Sequence, residues 1–60
     1  MDNDAARIES LMKALRLTID AATVAIAKHD LTGNHEDYAH ADFLITKVNL
    51  LKDMLQSAAD

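Results

Sequence analysis

The chain has 60 residues, half of them hydrophobic, with no cysteine, no proline, no tryptophan and a single glycine. A domain of this size buries only about 60% of the surface that its unfolded chain exposes, and the lack of cysteine excludes disulfides and thiolate zinc sites as sources of additional stability. The net charge of -4 disfavours nucleic acid as a partner, because phosphate binding needs clustered lysine and arginine.

The first predicted element is a long amphipathic helix over about residues 4–31. Asp2, Asn3 and Asp4 stand at its start, where any of the three side chains can cap free backbone amides. At about 100° per residue, one side of this helix is apolar, with Leu11 beside it. The side that we expect to be buried consists of Ile8, Met12, Leu15, Ile19, Ala22 and Ile26. His29 follows three residues later and is expected to end this core.

The stretch LTGNHEDYAH, residues 31–40, separates the two predicted helices. Gly33 suits the left-handed position that follows a helix C-terminus, and Asn34 suits the N-cap of the next helix. Glu36 and Asp37 would then lie in the first turn of that helix, where carboxylates are stabilised by unpaired amides. The sequence therefore predicts a turn at residues 32–34.

The second predicted helix covers about residues 35–58. Its expected buried face consists of Ala41, Leu44, Ile45, Val48, Leu51 and Leu55. So short a connection makes two long helices antiparallel neighbours, so we predict an all-α fold in which residues 1–60 form a single antiparallel two-helix hairpin. Because two helices that share one seam form a thin core, we expect the hairpin to self-associate into a helical bundle, either a dimer of hairpins or a larger assembly.

Each helix carries further apolar residues on the side opposite its predicted core. A helix that is apolar on two sides is expected to be covered on two sides, and contiguous exposed apolar patches usually mark interaction surfaces. The residues that we expect to bind a partner or a second copy are Leu17, Val24, Phe43, Leu50 and Met54. The alternatives are scattered surface hydrophobic residues and a monomeric hairpin that folds fully only on a different protein.

The histidines and acidic residues near the turn form a candidate ligand site. The segment HEDYAH differs from the zinc-protease pattern H-E-x-x-H, because His35 and His40 are five residues apart and cannot face one ion from within a helix. Either Glu36 or Asp37 could share an ion with His40 one turn later, but two ligands make a weak site, so we predict no metal. The residues of a possible ligand site between subunits are His35, Glu36, Tyr38 and His40.

Neither an enzyme nor a cofactor-binding protein is expected. The chain has no cysteine nucleophile and no glycine-rich phosphate loop, and a 60-residue hairpin lacks a concave pocket that excludes water. No apolar run approaches the roughly 18 residues of a membrane span. The first ten residues are acidic where a secretory signal would be basic and then apolar, so we expect a cytoplasmic protein without membrane association.

The leading functional hypothesis is a small protein-interaction module, an adaptor or inhibitor, that self-associates and binds another protein through apolar helix faces. The alternative is an oligomeric protein that binds a metal, a nucleotide or another small molecule between subunits near the turn. RNA binding by a dimer of hairpins, as in the plasmid regulator Rop, is a weaker alternative that rests on predicted architecture alone, since no motif of Rop is present.

Overall fold

The computed structural model describes the backbone of residues 2–59 and the side chains of residues 4–59. It contains two helices, α1 (Asp2–Thr32) and α2 (His35–Ala59), that pack against each other as a hairpin. The predicted all-helical hairpin is therefore confirmed. α1 begins two residues before the predicted start, and the predicted capping by Asp2 or Asn3 lies outside the described side chains. Within the described residues, neither helix is apolar enough over a sufficient length to cross a membrane.

Gly33 ends α1 in the conformation that its position predicted. Its φ is +64°, and its amide donates a hydrogen bond to the His29 carbonyl at 2.7 Å. This is the single five-to-one bond of a left-handed helix cap. The Asn34 carbonyl accepts the Tyr38 amide at 3.0 Å, which is the first hydrogen bond of α2 and places Asn34 at its N-cap position.

Asp37, in the first turn of α2, links the two helices. Its carboxylate accepts a hydrogen bond from the Thr32 hydroxyl at 2.5 Å and lies 3.7 Å from the Lys28 ammonium. The Thr32 oxygen also accepts the Asn34 amide at 3.2 Å. The Thr32 hydrogen bond and the nearby Lys28 charge hold the pKa of Asp37 below its usual value of 3.8, against the opposing effect of partial burial. Asp37 therefore joins the end of α1 to the start of α2.

The helices meet along a seam of seven residues from each helix, at alternating spacings of three and four. The seam consists of Ile8, Leu11, Leu15, Thr18, Ala22, Ala25 and His29 on α1 and of Asp37, Ala41, Leu44, Val48, Leu51, Leu55 and Ala58 on α2. All of them are buried or half-buried, and Ala14 is the one other residue within 4–59 that is not exposed. This spacing is the 3.5-residue period of a coiled coil, which keeps the same side of each helix toward the other along their whole length.

Small side chains occupy the middle of the seam. Ala22, Ala25, Ala41 and Leu44 form the buried cluster, and Val48 packs against it. Thr18 is the buried polar residue of the seam, and its hydroxyl donates to the Ala14 carbonyl at 2.7 Å. The seam therefore brings the two backbones close together and leaves no polar group of Thr18 unpaired.

The buried side of α1 differs from the predicted one. Met12, Ile19 and Ile26, which we expected in the core, are 50%, 45% and 42% exposed. The seam instead takes the residues that precede them, which are Leu11, Thr18 and Ala25. The two sides share residues 8, 15 and 22 and differ by about 50° of rotation about the helix axis. The prediction was wrong because it favoured the larger side chains, whereas smaller ones allow the two helices to approach closely.

The predicted buried face of α2 is mostly correct. Ala41 and Leu44 are buried, and Val48, Leu51 and Leu55 are half-buried. Ile45 is the exception, because its side chain is exposed. It lines the same surface groove as Ile26 and so lies on the same side of the hairpin. The four large side chains that we expected in the core, Met12, Ile19, Ile26 and Ile45, thus lie on one flank of the hairpin rather than in the seam.

Candidate interaction surfaces

One flank of the hairpin carries exposed apolar side chains from both helices, which we call the groove face. It consists of Met12, Ile19 and Ile26 on α1 and of Tyr38 and Ile45 on α2. The three α1 residues recur every seven positions and so form one line along the helix. All five side chains are exposed although they are large and apolar. The sequence interpretation assigned Ile19, Ile26 and Ile45 to the core, so it missed this surface.

Two open grooves lie on the groove face, between α1 and α2. The first, of about 290 Å³, is lined by apolar residues that include Met12, Ile19 and Leu55, and also by Arg16 and Asp20. The second, of about 300 Å³, lies toward the turn. It is lined by Ile26, His29, Tyr38, Ala41, Asp42 and Ile45. Each groove is lined mainly by apolar residues and also by charged ones, a combination that is common at protein-interaction surfaces.

The opposite flank carries a second apolar surface, which we call the outer stripe. It consists of the predicted partner-binding residues Leu17, Val24, Phe43, Leu50 and Met54, whose exposures run from 46% to 69%. Leu31, at 88% exposure, continues the α1 part of the stripe by one further interval of seven residues. Met12 of the groove face and Leu17 of the outer stripe are five positions apart, which corresponds to about 140° around a helix. The two apolar surfaces therefore face opposite directions.

Lysines border the outer stripe on both helices. Lys28 lies one turn from Val24 and Leu31, and Lys47 lies one turn from Phe43 and Leu50. Both lysines are exposed, and Lys28 also contacts Asp37. The outer stripe thus has a basic edge at Lys28 and Lys47, whereas on its other side Asp20 and Asp53 lie one turn from Leu17 and Leu50.

The four residues of the candidate ligand site do not form one cluster. Tyr38 lines the second groove, whereas His35, Glu36 and His40 are exposed outside both grooves. The Tyr38 ring is stacked on the His35 ring at a centroid distance of 6.3 Å and meets the His29 ring edge-on at 5.5 Å. Within residues 4–59, no three histidine or acidic side chains lie close enough together to hold one metal ion. Tyr38 and the two histidines therefore pack as an aromatic cap over the turn end of the seam.

We compared the chain with known protein families, curated proteins and solved structures. No protein-family model, no curated protein and no solved structure matches the chain.

Proposed function

We propose that the chain is a protein-interaction module: a self-associating helical hairpin that binds another protein through its outer stripe. The observation that carries this proposal is the amount of apolar surface that the single hairpin leaves uncovered. Eleven large hydrophobic side chains of the described residues are at least 41% exposed, and they are arranged on two flanks rather than scattered. Contiguous exposed apolar surfaces of this kind usually mark interaction sites.

The total surface area supports the same proposal. The chain exposes 4784 Å², whereas a compact monomer of its 6.6 kDa mass is expected to expose roughly 3,900 Å². The excess of about 900 Å² is close to the roughly 800 Å² that each partner buries in a protein interface of standard size. The hairpin is also elongated, since its radius of gyration is 13.9 Å against about 10.4 Å for a compact chain of this length. One docked surface, on either flank of the hairpin, would bring the exposed area to the usual value.

The basic edge of the outer stripe indicates the chemistry of the partner. An amphipathic helix with an apolar face and flanking acidic residues would bury the stripe and place carboxylates beside Lys28 and Lys47. Such a partner would complete a helical bundle with the hairpin, and the lysines would favour its orientation and its rate of association. The alternative of a ligand site at the turn has less support, because Tyr38 alone of its four residues lines a groove and no group of residues within 4–59 could hold a metal ion.

The test is a comparison of three variants in capture from the native cell. Leu50→Glu places a charge in the outer stripe and should abolish recovery of the partner, and Lys47→Glu should weaken recovery because it reverses the charge of the basic edge. Asn49→Glu, at an exposed position between them in sequence, is the matched control and should leave recovery unchanged. Circular dichroism must show the same helicity for all three variants. Equal recovery with Leu50→Glu and Asn49→Glu would contradict the proposal.

A further inference from the structure

We propose that the groove face binds the groove face of a second copy of the chain, in a two-fold dimer whose hairpins point in opposite directions and whose axis passes near Thr23. This inference rests on the self-association part of the proposed function and adds the surface and the orientation. The position of the two grooves, the charges beside them and the area that the hairpin leaves exposed support this dimer.

Thr23 lies midway between the two grooves on α1. Ile19 and Ile26 are at nearly equal distances on either side of it, the first lining one groove and the second lining the other. A two-fold axis at this point, perpendicular to the helices, packs α1 against α1 of the second copy. Ile26 of each copy then lies over the first groove of the other, and Ile19 lies over the second. Both grooves are filled by the same symmetric contact.

Charges along the edge of α1 match this arrangement. Arg16, Thr23 and Asp30 recur at intervals of seven residues, so they lie on one line beside the groove face. A two-fold axis near Thr23 exchanges the two ends of this line. Arg16 of each copy therefore meets Asp30 of the other, and the dimer contains two such pairs of opposite charge.

Charges on α2 match the same axis. Thr32 is hydrogen-bonded to Asp37, and Leu15 and Leu55 line the same groove. We infer from these two pairs which residues of α1 and α2 lie level with each other across the seam. Lys52 therefore lies level with residues 17–18 of α1, and Asp42 with residues 27–28. Along α1, residues 17–18 and residues 27–28 are at nearly equal distances on either side of Thr23. The axis that pairs Arg16 with Asp30 thus also brings Asp42 of each copy to Lys52 of the other.

The other possible orientation places both turns at the same end of the dimer. It is disfavoured by the charges of the residues just described, Arg16, Asp30, Asp42 and Lys52. It would pack α1 of one copy against α2 of the other at the same level. Arg16 would then lie beside Lys52, and Asp30 beside Asp42, so that both rims would carry like charges. Charge complementarity therefore selects the dimer in which the hairpins point in opposite directions.

Thr23 can be buried at the axis without leaving an unpaired polar group. It is exposed in the single hairpin, and its hydroxyl donates to the Ile19 carbonyl of its own helix at 2.9 Å. A second copy therefore needs to supply no hydrogen-bond partner at this position. The excess surface of the hairpin is also close to one side of a standard interface, which is the area that a second copy would cover on the groove face.

Disulfide trapping tests the orientation, because the natural chain has no cysteine. Thr23→Cys should give a covalent dimer in oxidised glutathione, as the two thiols meet at the axis. Val24→Cys, on the outer stripe, is the matched control and should give little. A mixture of Thr23→Cys and Asn49→Cys chains should give no preferred mixed disulfide. A dominant mixed disulfide would overturn the orientation, and efficient trapping by Val24→Cys alone would overturn the choice of surface.

Charge reversal gives an independent test by sedimentation equilibrium. Arg16→Asp should weaken the dimer by roughly tenfold, since two symmetric pairs turn from attraction to repulsion and an exposed pair changes an association constant by up to about fivefold. Adding Asp30→Arg to the same chain should restore the affinity. A double variant as weak as the single variant would overturn the proposed pairing. A wild-type chain that stays monomeric would overturn self-association itself, whereas a dimer without the Thr23 disulfide would overturn this inference alone.

Discussion

The cap at Gly33 allows the most direct test of the hairpin turn. Its φ of +64° lies in the left-handed region, and a Cβ added there would meet no atom within 4 Å. The effect of Gly33→Ala is therefore a backbone effect without a steric contact. An L-residue in this region costs roughly 1–2 kcal/mol, and the lower entropy of alanine in the unfolded chain offsets about 0.4–1 kcal/mol of this. We expect a net loss of about 1 kcal/mol in the free energy of unfolding.

Thermal unfolding followed by circular dichroism measures this loss. For a chain of this size, about 1 kcal/mol corresponds to a decrease in Tm of roughly 4–8 °C. Gly33→Asn is the control, because asparagine tolerates the left-handed region better than alanine, and its Tm should fall less. All measurements need the same protein concentration, since the Tm of an associating protein depends on it. A Tm for Gly33→Ala equal to or above that of the natural chain would refute the reasoning.

Two further predictions concern the seam and the link at the turn. Leu44→Ala should lower the free energy of unfolding by about 2–3 kcal/mol, because Leu44 is buried in the seam. Leu50→Ala removes the same group from the exposed outer stripe and should change this free energy by less than about 0.5 kcal/mol. Chemical denaturation measures both values, and equal losses would contradict the observed seam. Asp37→Asn should lower the Tm at neutral pH. Because the pKa of Asp37 is lowered on folding, its ionised form stabilises the fold fully above the usual value of 3.8, and this stabilisation is lost as the pH falls through the folded pKa. The Tm difference from the natural chain should therefore shrink below about pH 4, and a constant difference would show that the charge of Asp37 is not responsible.

The turn was predictable from the sequence because its residues are constrained by local geometry. Gly33 and Asn34 are the residue types that a left-handed cap and an N-cap require, and their hydrogen bonds depend on the nearest helical turns alone. Glu36 and Asp37 were expected in the first turn of α2, and they are there. The link from Asp37 to Thr32 was not predicted, since it depends on how α2 packs beside the end of α1.

The rotation of α1 about its axis could not be derived from periodicity alone. The predicted side of α1 and the observed seam both contain residues 8, 15 and 22, at the same spacing. They differ in the residues between, since the predicted side includes Ile19 and the seam includes Thr18. The preference for the larger side chain selected the wrong side, because the distance between the helices depends on the size of the seam residues. The sequence does show apolar residues on both sides of the line formed by residues 8, 15 and 22 of α1. Such a pattern indicates that the helix is covered on more than one flank.

The outer stripe was selected from the sequence as a surface apart from the core, and the described side chains at its five positions are exposed. The candidate ligand residues were grouped by their proximity in sequence. Tyr38 turns toward the second groove and the two nearby histidine rings, whereas Glu36 and His40 lie outside the groove. Sequence proximity brought the Tyr38 and His35 rings into contact but did not place Glu36 and His40 in the groove, because neighbouring residues of a helix point in different directions.

The central claim is that the hairpin reaches a complete core through a second copy that covers its groove face. Sedimentation equilibrium of the natural chain and of Ile19→Glu at micromolar concentrations tests it most directly. We predict twice the 6.6 kDa chain mass for the natural protein and a shift toward the single mass for Ile19→Glu. A natural chain that sediments as a fully helical monomer, or an Ile19→Glu variant with undiminished dimer affinity, would contradict the account.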